Sequence, residues 1–409
     1  MLRVDSDRLR ADFDALAAIG RTPDGGVSRP TFSEAHLAAR AWLIDRAAAA
    51  GFATRVDAAG NHSAVLPTPN RDAPTLLLGS HLDSVPDGGR FDGALGVLAA
   101  LEVLRVVRDA GVELVVALEA IDFTDEEGTL VGLLGSAAIA GTLERDALER
   151  ARGGRDALRA GLARAHLEEE RLGEARRDPT SLAGYLELHV EQGPMLERAG
   201  ADIGIVTTIV GARSFRLEFV GAAGHAGTTP MRDRRDAAVG AAAFVVAARD
   251  LVARDYPGCV ATAGNIEVEP GAFNVIPRRA RLALEFRSTE TQRLDELEGE
   301  LTALARRAAE TNSVELEIAP AGRWEPTALD EGVRAAIGRS AQTLGLRTLD
   351  LASGAGHDAQ AVAAVTRSGM VFVPSRGGVS HASDEHTDWE DCVNGANVLL
   401  NAALDLAAR

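Results

Sequence analysis

His81 and Asp83 lie two residues apart in Gly79-Ser-His-Leu-Asp-Ser84, at the end of an apolar run. If that run is a strand, period-2 geometry points both side chains the same way, and Asp83 can orient the His81 ring as a metal-binding histidine requires. Asp92 follows in Gly88-Gly-Arg-Phe-Asp-Gly93, where glycines let backbone and carboxylate approach an ion closely. Alone, the His-x-Asp pair also reads as a hydrogen-bonded couple at a strand end. Glu126 and Glu127 stand in Phe123-Thr-Asp-Glu-Glu-Gly128. Three adjacent carboxylates repel one another unless cations or solvent compensate them. An exposed acidic turn is the plain reading, but adjacent side chains diverge, so one Glu can bind metal while its neighbour faces the attacking water. His189, in Leu188-His-Val-Glu-Gln-Gly-Pro194, and His381, in Pro374-Ser-Arg-Gly-Gly-Val-Ser-His381, each follow an apolar segment, and each taken singly is a structural histidine. Together, three histidines, one Asp and two Glu at independent positions after apolar segments supply the donors of a carboxylate-bridged pair of divalent ions, a centre suited to metal-assisted hydrolysis.

The elements that must position these residues follow the same pattern. Thr75 to Gly79 and Leu114 to Phe123 are short apolar segments separated by a helical stretch, Ala94 to Ala110, with a Gly111 stop. Strand, helix, strand in that order predicts an α/β fold with a mainly parallel sheet flanked by helices, whose sites form at the C-terminal strand ends. Leu9, Phe13 and Leu16 recur at helical spacing behind a Ser6 or Asp7 cap. Arg150 to Asp178, rich in Arg, Glu and Ala with little apolar periodicity beyond Leu158, Leu162 and Leu167, reads as a solvated helical excursion without chemistry. From Gly211 the pattern changes: Phe215, Leu217 and Phe219 alternate, Ala237 to Val252 is helical, Leu282 to Phe286 alternates, Leu294 to Ala308 is helical, and Val314 to Ile318 alternates. This predicts a compact α+β unit, residues 211–325, inserted in a catalytic domain of residues 1–210 and 326–409.

A length of 409 residues with 46% apolar content is enough for two cores. The net charge of -17 argues against nucleic acid or an anionic membrane surface as partner. Cys259 and Cys392 fit no disulfide or metal spacing. With Asp5, Asp7, Asp12 and Asp14 where an export signal would be basic and apolar, and no membrane-length apolar stretch, a cytoplasmic location is expected.

These residues resemble the dinuclear-metal amidohydrolases that include N-carbamoyl-L-amino acid hydrolase, β-ureidopropionase and allantoate amidohydrolase, relatives of the aminoacylases and metal-dependent carboxypeptidases. The resemblance runs from Gly25-Gly-Val-Ser-Arg29 to the block around His381 and is most specific in Gly79 to Gly93, His189 to Pro194 and Gly224-His-Ala-Gly-Thr-Thr-Pro-Met231. It implies a metallo-exopeptidase-like catalytic domain with a ferredoxin-like lid and dimerisation domain. Asp92 would bridge two ions, one completed by His81 and His189 and the other by Glu127 and His381, with Glu126 as general base. Carboxypeptidase relatives usually carry Asp at the His189 position, whereas the carbamoyl-cleaving branch carries His. Gln192, His225, Asn274, Arg287 and His357 match substrate-contacting positions, and His225 often reaches a partner subunit's site, implying a homodimer. Alternation places Arg287 on the face opposite Leu282, Leu284 and Phe286, free to grip a carboxylate, with a salt bridge to Glu285 as the plain alternative. His36, His62, His166 and His386 match no ligand position. The sequence lacks the Arg-Phe pair common after Gly128 and has Ser383 where proline is usual.

The resemblance implies hydrolysis of the ureido bond of N-carbamoyl-L-amino acids, with two divalent ions (Zn, Mn, Co or Ni suit the ligands equally) as cofactor. Allantoate amidohydrolase stands beside it, since Gln360 after His357-Asp-Ala matches that branch; an aminoacylase or dipeptidase fits less well given His189. A non-catalytic binding module of the same fold has no use for Glu126 beside intact ligands.

Overall fold

The computed structural model describes residues 1–408. The chain divides into two compact units, Met1–Thr207 together with the chain from Ala328 onward, and Thr208–Thr327. Thirteen strands are described: β1 Ala53–Val56, β2 His62–Leu66, β3 Thr75–His81, β4 Ala117–Phe123, β5 Leu182–Val190, β6 Ile203–Ile209, β7 Gly211–Val220, β8 Val260–Glu269, β9 Arg279–Ser288, β10 Glu315–Trp324, β11 Thr327–Ala328, β12 Thr348–Ser353 and β13 Ser368–Val373.

The first unit is built on a mixed sheet in the order β1-β2-β4-β3-β5-β13-β6-β11, with β12 also paired to β6. Its centre, β4-β3-β5-β13, is parallel throughout, while β1, β2 and β6 join antiparallel. Residues such as Leu76, Leu78, Leu186, Leu188, Val371 and Val373 are fully buried, as expected of parallel strands covered on both faces. Helix Ala94–Asp109 is buried on nearly every side, so its apolar residues run around the whole helix rather than along one stripe. It packs on β3 and against helix Trp389–Ala407. The opening helix spans Ser6–Ala17, and its cap is Asp5, whose carboxylate accepts from the Asp7 and Arg8 amides. Among the described residues no helix is long and apolar enough to cross a membrane.

The segment read as a solvated excursion has a core of its own. Leu158 and Leu162 of helix Arg155–Arg164, with Leu172 beyond it, are fully buried against Phe32, Leu130 and Leu134. Each such leucine contributes roughly 1.5 to 3 kcal/mol. The four-residue spacing of Leu158 and Leu162 was the signal, masked by the Arg and Glu around it.

The second unit is a four-stranded antiparallel sheet, β10-β7-β9-β8, with helices Ala237–Asp255 and Thr291–Thr311 on one face. Leu217, Phe219, Leu282, Leu284 and Phe286 meet Phe244, Leu294, Leu297 and Leu301 in a separate apolar core. The other sheet face is open, and Arg281, Ala283, Glu285 and Arg287 of β9 lie on it. The fold is therefore a mainly parallel α/β sheet with helices plus an antiparallel lid.

Candidate active site

The four central strands end side by side, and each delivers part of one cluster. His81 is the last residue of β3, in register with Phe123 at the end of β4. His189 is the penultimate residue of β5, and His381 follows β13. Glu126 and Glu127 follow β4 directly, and Asp92 lies in the turn between β3 and the buried helix.

His81 and His189 are fully buried. His81 Nδ1 lies 3.0 Å from the Asp83 main-chain carbonyl and His189 Nδ1 lies 2.8 Å from that of Val190. The main chain thus holds the Nδ1 side of both rings, and Nε2 faces Asp92 Oδ1 at 3.4 and 3.1 Å, where it can donate a proton to that carboxylate or, deprotonated, offer its lone pair to an ion. The other Asp92 oxygen, Oδ2, stands 3.5 Å from His381 Nε2, which is 3.4 Å from Glu127 Oε2. Asp92 thus offers one oxygen to each pair. Burial disfavours its ionised form, but His189 and His81 outweigh that and hold its carboxyl well below the usual range. Burial pushes Glu126 and Glu127 the other way, well above the usual range; His81 partly offsets this at both, while neighbouring carboxylates add to it.

Gly93 is needed where the turn closes. Its φ is 61°, and a Cβ there would come within 2.5 Å of the His81 ring. The glycines of this turn thus make room for protein side chains; the sequence reading had them make room for an ion.

Asp83 has a different task from the one its spacing suggested. β3 ends at His81, so the period-2 rule does not reach Asp83, and its carboxylate is 3.8 Å from His81 Nδ1. Only its main-chain carbonyl orients the ring. The carboxylate instead accepts from the Glu126 and Glu127 amides, at 3.3 and 3.2 Å, and from Thr31 Oγ1 at 3.0 Å. It holds the loop that carries both glutamates. Repulsion within Asp125-Glu-Glu127 is relieved because Asp125, at φ 57°, turns away and accepts from the Leu130, Val131 and Gly132 amides.

Gln192, also in a left-handed conformation, donates from Nε2 to Asp92 Oδ2 at 2.8 Å. His357 is buried, hydrogen-bonded to Ser353 Oγ at 2.8 Å and packed edge-on against His189 with ring centroids 4.6 Å apart. Its ring also packs against Phe372, with centroids 5.6 Å apart. Sequence reasoning missed Glu187, a buried acid inside β5 that accepts from Ser80 Oγ and the Ala359 amide. It also missed Arg40 and Asp122, a buried ion pair at 2.8 Å, in which Asp122 accepts from the Leu82 amide beside His81. An acid inside an apolar strand was the available signal for both. His36 is buried and accepts from the Phe32 amide, a structural role.

In the second unit, His225 and Asn274 are exposed on adjoining loops joined by a bridge between His225 and Val275 and by the Ala226 amide bonding to the Asn274 carbonyl. Arg287 lies off the core face as alternation predicts, and it donates to Glu285 Oε1 from Nε and Nη2, at 2.9 and 2.6 Å.

The donors fit divalent ions. His81, Asp92 and His189 place ligand atoms within 4.8 Å of one another, as do Asp92, Glu127 and His381. His81 Nε2 is buried without a hydrogen-bond partner, which is costly unless a cation takes its lone pair.

Comparison with known proteins agrees with this geometry. The profile of Peptidase family M20/M25/M40 matches residues 77–405. The chain is 38% identical over 406 residues to the N-carbamoyl-L-amino acid amidohydrolase of Geobacillus stearothermophilus, covering 99% of both. It is 33% identical to the ureidoglycolate hydrolase of Arabidopsis thaliana, covering 97% of this chain and 86% of that one. A solved hydantoinase/carbamoylase-family amidase from Burkholderia multivorans superposes with a TM-score of 0.89 at 34% identity, covering 100% of this chain and 99% of that one. Likeness of this order along the whole chain makes the protein a member of Peptidase family M20/M25/M40, in its hydantoinase/carbamoylase branch of amidohydrolases that act on linear amides.

Proposed function

We propose that the protein hydrolyses the carbamoyl C–N bond of N-carbamoyl-L-amino acids, releasing the amino acid, ammonia and carbon dioxide. The observation that carries this reading is the Asp92 carboxylate, with Oδ1 facing His81 and His189 and Oδ2 facing His381, and with Glu126 Oε2 3.6 Å from His81 Nε2. The likeness to N-carbamoyl-L-amino acid amidohydrolases supplies the substrate class. Two divalent ions held by His81, His189, Asp92, Glu127 and His381 would acidify a water and polarise the carbamoyl carbonyl. Glu126 takes the proton of the attacking water and returns it to the leaving nitrogen. His225 donates to the oxyanion, and Arg287 exchanges Glu285 for the substrate carboxylate. Elemental analysis is expected to find close to two divalent ions per chain, with ammonia released from N-carbamoyl-L-amino acids when Zn, Mn or Co is supplied. A metal-free protein that gains no activity with added metal refutes the reading. Release from allantoate or ureidoglycolate instead would favour a ureido acid as substrate, a second reading supported by the likeness to ureidoglycolate hydrolase.

The lid places its candidate substrate residues at opposite ends of one sheet. Arg287 pairs with Ala212 and Val260, whereas Arg279 pairs with Val220 and Glu269 at the far end, eight residues or about 26 Å along the strand. His225 and Asn274 lie beyond that far end, because pairing continues from Gly221 with Arg278 to Ala226 with Asn274. This is several times the length of an N-carbamoyl amino acid. If all three residues touch one substrate, two chains must supply them, so the protein acts as a homodimer. Helix Ala237–Asp255 buries Ala241, Phe244 and Ala248 while exposing Val239, Ala242, Ala243 and Val246, an apolar stripe a second copy could cover. Mixing His225→Ala with Glu126→Gln chains under subunit exchange is expected to recover up to about a quarter of wild-type activity, since half the dimers are mixed and each has one intact site. Activity that stays at the level of the separate mutants, with exchange demonstrated, refutes the shared site.

A further inference from the structure

We propose that Glu385 is a positioning residue that locks the Asp92 turn to the His381 loop and so sets the affinity for the ion shared by Asp92, Glu127 and His381. The inference rests on the two-ion reading above. Glu385 is 4% exposed, and each of its oxygens serves one ligand segment. Oε1 accepts from the Phe91 and Asp92 amides, at 3.3 and 3.1 Å, and Oε2 accepts from Ser380 Oγ at 2.7 Å. One carboxylate thus joins segments 293 residues apart in sequence. Gly89 leaves it the space, because a Cβ at that position would collide with the Glu385 carboxyl.

The two metal groups differ in how much they need this joint. His81 and His189 each sit at a strand end and give Nδ1–H to a main-chain carbonyl of their own segment. His381 stands on a loop, its side chain 51% exposed, with a backbone φ of 54° that a non-glycine residue adopts only when its surroundings impose it. Besides Asp92 and Glu127, its Nε2 meets the Gln192 side-chain amide at 3.4 Å. The Ser380–Glu385 hydrogen bond, one residue before His381, ties this loop to the turn that carries Asp92. Without it, only side-chain contacts, Gln192 Nε2 at 2.8 Å from Asp92 Oδ2 and 3.4 Å from His381 Nε2 and Ser380 Oγ at 3.5 Å from Asp92 Oδ2, align Asp92 Oδ2 with His381, while Asp92 Oδ1 keeps two rigid histidine partners.

Titration of the metal-free protein with Zn²⁺ against a chromophoric chelator resolves the two binding steps, and His381→Ala identifies the step that depends on His381. Glu385→Ala is expected to weaken that step about 10- to 100-fold, the usual effect of removing the groups that hold metal ligands, and to leave the other step nearly unchanged. Ser380→Ala, which removes the hydroxyl that donates to Glu385 Oε2 at 2.7 Å and also lies 3.5 Å from Asp92 Oδ2, should weaken the same step to a smaller extent. Thermal melting shows whether each variant is folded. A folded Glu385→Ala chain with both steps as in wild type overturns the proposal, and so does equal weakening of both steps. If Glu385→Ala does not fold, Ser380→Ala decides: selective loosening supports the joint and unchanged affinity overturns it. A wild-type chain that binds fewer than two ions overturns the two-ion reading as well, whereas two wild-type steps with an insensitive Glu385 overturn this inference alone.

Discussion

Glu126→Gln is expected to retain both divalent ions and to lose turnover by about 100- to 10,000-fold, the range general-base catalysis supplies. The amide matches the carboxylate in size, and the main-chain hydrogen bond from residue 126 to Asp83 Oδ1 does not depend on the side chain. The candidate ligand atoms of His81, Asp92, Glu127, His189 and His381 are therefore expected to stay in place. What is lost is an atom able to accept the water's proton. Metal content and turnover measured on one preparation separate the outcomes. Full metal with turnover near wild type removes Glu126 from the mechanism, and loss of metal would make it a ligand.

Arg40→Met is expected to destabilise the protein by about 3 to 5 kcal/mol, the penalty for leaving a buried charge without its partner. Arg40 and Asp122 are 1% and 0% exposed. Arg40 Nε bonds Asp122, and Nη2 reaches the Phe123 carbonyl and Thr124 Oγ1, both at 2.9 Å. Burial raises the Asp122 carboxyl to about 6 even with the guanidinium beside it. Methionine fills much of the vacated volume, so the loss reports charge more than packing. The double variant Arg40→Met with Asp122→Asn should recover part of it, because the amide is neutral and its oxygen can still accept from the Leu82 amide. Urea unfolding of the four proteins gives the coupling. An Arg40→Met loss below about 1 kcal/mol, the range of an exposed pair, would show that the pair does not brace the β3 and β4 ends.

The candidate donors and their gathering at strand ends were legible because they depend on local signals. An apolar run, a polar donor and a glycine recur at His81, Glu126, His189 and His381, and each run became a neighbouring parallel strand. Alternation in 282–286 likewise assigned Arg287 to the open face of β9. Strand β8 gave no such signal. It lies at the sheet edge and most of its residues, Val260, Ile266 and Val268 among them, are exposed, so no buried face imposes an apolar alternation.

By itself the sequence determined the donor types, the α/β pattern that gathers strand ends, and the interruption from Gly211 by a unit with different periodicity. Those properties follow from burial and backbone periodicity, which act over a few residues. Only the tertiary structure decided what each acid does. Asp83 holds the Glu126–Glu127 loop 43 residues away, Asp125 caps its own turn, and Glu385 meets the Asp92 amide across 293 residues. The same holds for the separation of Arg287 from His225 and Asn274, which is fixed by strand register. A carboxylate will accept from whichever amide the fold brings within about 3 Å, and no local pattern encodes which amide that is.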